Sequence, residues 1–364
     1  MEADGNRHPI FVVGASRSGT ELMRSILNQH PSVCISTETH YFDDLRVRLR
    51  GREQHGLTEK ETRQCENYFR AVMQGLYGHR GGPENSPPSP RALRETAAMI
   101  GTGADAFFEA FCRFNAQQKR ADRWGEKTPR HIFCLPEIFH AFPRAQIVCM
   151  VRDPRAVIAS YRDWKNSGGF DFEKDPGQKA ALEQEDRRVR RSYNILIACL
   201  MWSGSVRAAI EGRKRFTPGR VFIQRYEDLV GNSQSALGGL TAWLSLDLHP
   251  AMLDVPVINS SFANERSPGF AKQLIDRWRT KLNHHEIAVI QTSCARLMRY
   301  THYELDPIGT PLSPLLWECL KLPGATINAA AANRSRIGAL GPYLYRRIRF
   351  AIGGLIGGTD VAQD

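Results

Sequence analysis

No two of the eight cysteines in this 364-residue chain stand in a C-x-x-C pair. A chain this long does not need a disulfide framework, and the scattered spacing favours a reducing compartment. Several thiols sit in apolar runs, Cys149 in IVCMV and Cys199 in IACLMW, as buried free cysteines do. No apolar run approaches the unbroken length of a membrane span, and the stretch MEADGNRHPIFVV shows no charged-then-apolar leader. The expectation is therefore a soluble, cytoplasmic protein. Helix-turn-helix, zinc-finger and RNA-binding signatures are missing too, so nucleic acid is not an expected partner. There is no internal repeat.

The chain does have positive charge, with a formal net charge of +11 and a pI of about 9.4. Such an excess favours anionic partners, among them nucleotides, acidic glycans, acidic peptides and anionic lipid headgroups, with simple solubility as the plainer reading. At 42% hydrophobic residues, the chain can bury a sizeable core. Its length suits one large α/β domain or two small ones.

The most informative segment is PIFVVGASRSGTELMRSILNQH, from Pro9 to His30. The apolar run Ile10-Phe11-Val12-Val13 reads as a strand. It gives way at Gly14 to a loop of small residues, followed by a helical pattern with Leu22, Met23, Ile26 and Leu27 on one face. A strand, a small-residue loop and a helix start together make an anion cradle from loop amides and the positive end of the helix. Gly14 and Gly19 fit the spacing of a phosphate-binding loop, but the lysine that should follow Gly19 is replaced by Thr20 and Glu21. ATP cleavage needs that lysine on the β/γ-phosphates and the next hydroxyl on Mg²⁺. Here the cation is Arg17, inside the loop, which points to a phosphate-like group handled without nucleoside-triphosphate chemistry.

Further along, a short strand is expected over 32–36. Residues 41–122 then read as an insertion with helices around 58–76 and 91–118, separated by the breaker cluster GGPENSPPSPR. This block is read either as a lid or acceptor wall, or as a solvated helical decoration. A helix carrying Phe133, Leu135, Ile138 and Phe142 leads to the strand Ile147–Val151, whose lack of alternation suggests burial on both faces of a parallel sheet. That strand ends in Arg152-Asp153-Pro154, with Asp153 suited to cap the next helix and Pro154 to start it. The charged run EDRRVRR reads as a solvated helix face before an apolar helix from Ile195. A further strand is expected at Val221–Ile223, and helices at 233–244 and 284–299. Strands alternating with helices give a parallel sheet covered on both faces, with the ligand beyond the C-terminal strand ends. The tail from about 308 reads as weakly organised. Its segment GPYLYRRIRFAIGGLIGG, with Arg346, Arg347 and Arg349, resembles a basic amphipathic helix that touches a membrane or partner, or packs on the domain.

Two strand ends thus carry a cation and hydroxyls each. Arg17 stands with Ser18 and Thr20, and Arg152 stands with Ser160, eight residues or a little over two helical turns on. Two such sites suit a ligand with oxyanions at both ends, and arginine is the usual partner for multidentate contact with them.

These segments resemble the sulfotransferase family that uses 3′-phosphoadenosine 5′-phosphosulfate. PIFVVGASRSGTELMRSILNQHPSVCISTETH is similar to its 5′-phosphosulfate loop, and IVCMVRDPRAVIASY to its 3′-phosphate strand and helix. The nearest pattern is the branch of tyrosylprotein and bacterial sulfotransferases. The resemblance implies a P-loop-like parallel α/β sheet flanked by helices, that donor as co-substrate, and no metal. It divides the chain into a sulfotransferase domain at 1–307, with the helical insertion at about 41–122, and a C-terminal helical extension at 308–364.

Carried over by position, Arg17, Ser18, Gly19 and Thr20, with Ser16 beside them, would hold the 5′-phosphosulfate. Arg152 and Ser160 would hold the 3′-phosphate, and Tyr226 in RYEDL would lie near the nucleotide. Glu38 falls where the branch places its catalytic base, Lys127 where it places a lysine near the transferring group, and Ser267 where it places a serine. Glu38 would take the acceptor's hydroxyl proton, while Lys127 and Arg17 would relieve charge on the bridging oxygen. Read as ordinary residues, Glu38 and Thr39 cap the next helix, Lys127 sits in a surface loop and Tyr226 belongs to the core.

Two departures from the pattern matter. Glu21 replaces a common second hydroxyl, and an acid beside an anion cradle is unfavourable unless it points away. His40 stands where tyrosine-directed enzymes have an arginine, which weakens a peptide-tyrosine acceptor. The implied acceptor is a hydroxyl on a sugar or glycolipid first, and on tyrosine or another phenol second. The competing readings are a P-loop nucleotide kinase and a non-catalytic nucleotide-binding adaptor.

Overall fold

The computed structural model describes residues 8–75, 88–163, 190–216, 219–255, 270, 272, 275–309 and 312–333, together with 183, 187, 188, 341 and 345. Its centre is a five-stranded sheet in the order β2-β3-β1-β4-β5, parallel throughout. The strands are β1 (Ile10–Gly14), β2 (Val33–Ser36), β3 (Arg123–Lys127), β4 (Gln146–Val151) and β5 (Val221–Arg225). β1 is central, with Val12 in register with Lys127 on one side and Val148 on the other.

The side chains of β1 alternate between two cores. Ile10 and Val12 pack with Met23, Ile26 and Leu27 of α1 (Thr20–Leu27), and with Leu237, Leu240 and Leu244 of α10 (Ser233–Leu244). On the opposite face, Phe11 meets the rings of Phe42, Phe108, Trp124 and Phe142. Sheet, helices and both cores make the P-loop-like α/β layering expected for this chain.

Between β2 and β3 lie a short 3-10 turn (Tyr41–Asp43) and the helices α2 (Leu45–Arg48), α3 (Glu59–Met73), α4 (Pro90–Ile100) and α5 (Ala104–Gln118). This block is no solvated decoration. Tyr41, Phe42, Phe69, Phe108 and Phe111 are fully buried and form the core beneath one face of the sheet. The single helix expected over 91–118 is two helices, broken at Gly101–Gly103. Gly103 passes so close to the backbone of Glu53 and Gln54 that a Cβ there would collide with it. The breaker cluster itself lies largely outside the described residues.

β3 is a strand that periodicity does not reveal. Its sequence RWGEK is polar, yet every residue is buried. After β3 come α6 (Leu135–Ala141), β4 and α7 (Pro154–Arg162). Asp153 caps α7 by accepting from Arg155 N at 2.8 Å. α8 (Ile195–Arg215) is long and apolar enough to cross a membrane by length and composition, although its apolar residues form no unbroken run. It is largely buried, and it packs Trp202, Val206 and Ile210 into the core. α9 (Tyr226–Gly231), α10, α11 (Trp278–Lys281) and α12 (His284–Tyr300) complete the cover.

Over residues 312–333 the tail is better organised than expected. α13 (Leu312–Asn333) continues through the alanine run. Leu315 and Leu322 pack on the core, while Leu316, Trp317, Leu320 and Ile327 face outward. The basic segment after it lies outside the described residues except for Gly341 and Tyr345, and EDRRVRR is described only in part, with Arg187, Arg190 and Arg191 exposed.

Candidate functional site

Each strand delivers one candidate residue at or just past its C-terminal end. Arg17 follows β1, Glu38 follows β2, Lys127 ends β3, Arg152 follows β4 and Tyr226 follows β5. In an open parallel sheet this is the edge where ligands bind, and β1, flanked by β3 and β4, is the point where the connections change direction.

The loop after β1 is shaped by three residues with positive φ: Gly14 at 146°, Arg17 at 72° and Gly19 at 94°. A Cβ on Gly14 would strike the Met150 carbonyl of β4, and one on Gly19 would come 2.6 Å from Cδ2 of Tyr226. Arg17 takes the left-handed conformation without being glycine, a strain of about 1–2 kcal/mol. Ser18 is fully buried, and both its N–H (3.1 Å) and its hydroxyl (2.6 Å) donate to the Ala15 carbonyl. Its side chain therefore shapes the loop from within rather than donating outward. Ser16 is exposed and Thr20 is buried at the first turn of α1. No side chain caps α1, so its first-turn amides offer donors to an anion.

Arg17 Nε donates to Ser160 Oγ at 3.0 Å, which ties the β1 loop to α7. Arg152 Nη1 donates to the Arg17 carbonyl at 3.4 Å, and its guanidinium lies 4.1 Å from the Tyr226 ring centroid. Trp202 Nε1 donates to the Arg152 carbonyl at 2.8 Å and holds that turn in place. Gly19, Arg17, Ser160, Arg152 and Tyr226 therefore form one connected cluster at the sheet edge, a candidate basin for a ligand. Tyr226 belongs to the core as well. Burial and the neighbouring Arg152 charge bring the Arg17 pKa down to about 10. Arg152 Nε is buried with no hydrogen-bond partner among the described residues. Two crowded guanidinium groups, an orphaned buried donor and an uncapped helix start all fit a polyanionic ligand. Ser267 lies outside the described residues.

Beside this basin stands a chain of alternating charges. Lys127 is buried, with Nζ 2.6 Å from Glu38 Oε1 and 2.9 Å from Glu21 Oε2. Burial opposes its charge, but the two carboxylates raise its pKa. Glu21 is also paired with Arg24. Burial would raise the Glu21 pKa, but Lys127 and Arg24 outweigh it and bring it to about 2. An acid beside the cradle is thus tolerated because its charge is met on both oxygens. Lys127 is no surface-loop residue, while Thr39 Oγ1 does accept from Tyr41 N at 3.3 Å, where the 3-10 turn begins.

The floor under Glu38 is equally polar. Glu126 Oε1 accepts from Thr39 N and Thr39 Oγ1, both at 2.9 Å, and from Thr128. His131 Nδ1 lies 3.1 Å from Glu126 Oε2, while its Nε2 accepts from Phe42 N at 3.4 Å. Glu126, Glu21 and His40 are site-forming residues that motif matching leaves without a role. Glu21 and His40 show in the sequence only as departures from the family pattern, and the signal for Glu126 is the density of polar residues in GEKTPRH, too polar for a buried segment unless each group is paired.

A family model described as "Sulfotransferase family" matches residues 9–250. Carbohydrate sulfotransferase 3 of Homo sapiens is 26% identical over 176 residues, which cover 44% of this chain and 34% of that protein. An omega-hydroxy-beta-dihydromenaquinone-9 sulfotransferase of Mycobacterium tuberculosis (strain CDC 1551 / Oshkosh) is 26% identical over 262 residues, covering 65% of this chain and 63% of that protein. The chain thus spans between a third and two thirds of these relatives' lengths. Among solved structures, the sulfotransferase domain of the Synechococcus PCC 7002 olefin synthase superposes with a TM-score of 0.52 at 19% identity, covering 83% of this chain and 98% of that one. That likeness is one of fold.

Proposed function

The chain belongs to the sulfotransferase family, and from that premise we propose that it transfers a sulfuryl group from 3′-phosphoadenosine 5′-phosphosulfate to an acceptor hydroxyl. The observation that carries the reading is the shared basin of Arg17, Ser160, Arg152 and Tyr226 at the sheet edge, with the Lys127–Glu38 pair beside it. The 3′ and 5′ positions of one ribose are separated by a single carbon, so phosphates on both suit two cations in one basin rather than two distant sites. Arg17, the amides of the loop and the start of α1 would hold the 5′ group, while Arg152 and Ser160 would hold the 3′-phosphate.

In the transfer, the acceptor oxygen forms a bond to sulfur and the bond from sulfur to the 5′-phosphate oxygen breaks. Glu38 takes the acceptor's proton, a role worth about 10²–10⁴-fold. Lys127 and Arg17 meet the charge that collects on the bridging oxygen, by the same positioning and electrostatics that govern phosphoryl transfer.

An alcohol acceptor, on a sugar or a glycolipid, is favoured over a phenol. The two curated relatives are named for a carbohydrate and for an omega-hydroxylated menaquinone, and His40 departs from the tyrosine-directed pattern. Peripheral contact with a membrane through the C-terminal segment belongs to the same proposal. The outward Leu316, Trp317, Leu320 and Ile327 of α13 support it, and cosedimentation with anionic vesicles tests it. The nucleotide kinase reading falls with the family assignment. The adaptor reading is tested by turnover. Purified protein is given 35S-labelled donor and a panel of sugar, lipid and phenol acceptors. Label on an alcohol supports the proposal, and binding of the donor without transfer to any acceptor selects the adaptor.

A further inference from the structure

His40 follows the Glu38–Thr39 pair and is buried. Its backbone is left-handed, with φ 52° and ψ 20°, which is uncommon for a residue with a side chain. The surroundings impose that conformation. Thr39 is fixed by Glu126, and Tyr68 OH donates to the Thr39 carbonyl at 2.6 Å. His40 N donates to Thr128 Oγ1 at 3.3 Å, and the His40 carbonyl accepts from Asp44 N at 2.9 Å. Strain held by so many contacts marks a side chain placed for a purpose.

Both ring nitrogens of His40 face charged groups. Nδ1 lies 2.8 Å from Arg130 Nη2 and 3.5 Å from Asp43 Oδ1, and Nε2 lies 3.2 Å from Glu38 Oε2. Arg130 Nε is 3.2 Å from Asp43 Oδ2. Burial opposes ionisation of Asp43, but the Arg130 charge beside it holds its carboxyl far below the usual range. Arg130 is therefore an anchored cation, and at 2.8 Å it donates to Nδ1. Nδ1 therefore accepts, and the N–H left to the ring is on Nε2, aimed at Glu38. Across the carboxylate, Lys127 Nζ holds Oε1 at 2.6 Å.

We propose that His40 is a positioning residue for the base: its Nε2–H donates to Glu38 Oε2 and fixes the carboxylate plane between His40 and Lys127. The proposal rests on the reading of Glu38 as the base that takes the acceptor proton. A donated hydrogen bond favours the charged carboxylate, so His40 also lowers the pH at which Glu38 becomes competent. The groups facing this pair are Lys127 on β3, Arg130 and His131 after it, Asp43 on the 3-10 turn, and Arg17 and Arg24 acting electrostatically.

The test compares wild type with H40N, H40Q and E38Q. Asparagine tolerates the left-handed backbone but is too short to reach Glu38, and glutamine places an amide N–H near the position of Nε2. In H40N, kcat falls roughly 10- to 100-fold, as expected for a misaligned base. Binding of adenosine 3′,5′-bisphosphate, read by calorimetry, stays within about twofold, and the acidic limb of kcat/KM moves to higher pH. H40Q recovers most of kcat and returns the limb toward its wild-type position. Wild-type kcat and an unmoved limb in H40N overturn the proposal, as does a loss in H40N that H40Q fails to relieve while both variants bind bisphosphate normally. Loss of bisphosphate binding in H40N also overturns it, because the role is then that of a general support. The underlying reading is judged separately by E38Q: full turnover there removes Glu38 as the base whatever His40 does.

Discussion

Replacing Lys127 by methionine removes the ammonium that Glu21 and Glu38 share, and leaves two buried carboxylates with less to neutralise them. Breaking a buried ion pair from one side costs about 3–5 kcal/mol. The shift of Glu21 gives a second measure. A carboxyl held at about 2 instead of 4.5 carries roughly 3 kcal/mol of linkage free energy, part of it supplied by Arg24. A net loss of about 3 kcal/mol is expected, a fall in Tm of roughly 4 °C for a chain of 364 residues. Because the folded pKa of Glu21 is depressed, its contribution is present above pH 4.5 and is lost as the pH falls from there toward 2. K127M should accordingly lose less of its remaining stability than wild type across that window. Turnover should fall about 10²–10³-fold, the loss typical when a charge-stabilising donor is removed. Adding E21Q to K127M relieves the carboxylate repulsion and restores part of the Tm, but not kcat. Thermal melts from pH 3 to 8 and steady-state rates read both quantities. Restoration of full turnover along with the Tm would refute the reasoning, since Lys127 would then serve the fold alone.

Three further outcomes are expected. R17A and R152A each weaken binding of adenosine 3′,5′-bisphosphate by roughly 10- to 100-fold in calorimetry, the worth of a charge-assisted hydrogen bond. G14A destabilises the protein by about 1–3 kcal/mol in thermal melts, because its Cβ would collide with the Met150 carbonyl and φ 146° is strained for alanine. Saturating bisphosphate raises Tm by an amount equivalent to about 3 kcal/mol at a hundredfold excess over Kd, a gain that R152A largely loses in differential scanning fluorimetry at the same ligand concentration.

The segments that carry the candidate site are readable because local rules agree there. β1 and β4 are uninterrupted apolar runs, α1 has a clear apolar face, and Asp153-Pro154 marks a helix start that the structure places at that point. β3 was not readable, for a physical reason. RWGEK looks like a surface loop, yet Arg123 is buried by donating to the carbonyls of His8 and Leu244, Glu126 by accepting from Thr39 and Thr128, and Lys127 by its two carboxylates. Those partners are up to 121 residues away in the chain, beyond the reach of any local pattern. The core role of residues 41–122 was hidden similarly. Its aromatic residues stand on short turns and on α3 and α5, and meet only when the sheet brings Phe11 against them. His40 and Glu21 stand in the sequence only as departures from the family pattern, and tertiary contacts alone supply their partners.

The central claim is that one basin, formed where β1 and β4 end, holds both phosphates of a single nucleotide. Titration calorimetry with adenosine 3′,5′-bisphosphate and with adenosine 5′-monophosphate tests it most directly. The account predicts that the 3′-phosphate tightens binding by roughly 10- to 100-fold and that R152A abolishes the difference. Equal affinities for the two nucleotides on the wild-type protein would contradict it.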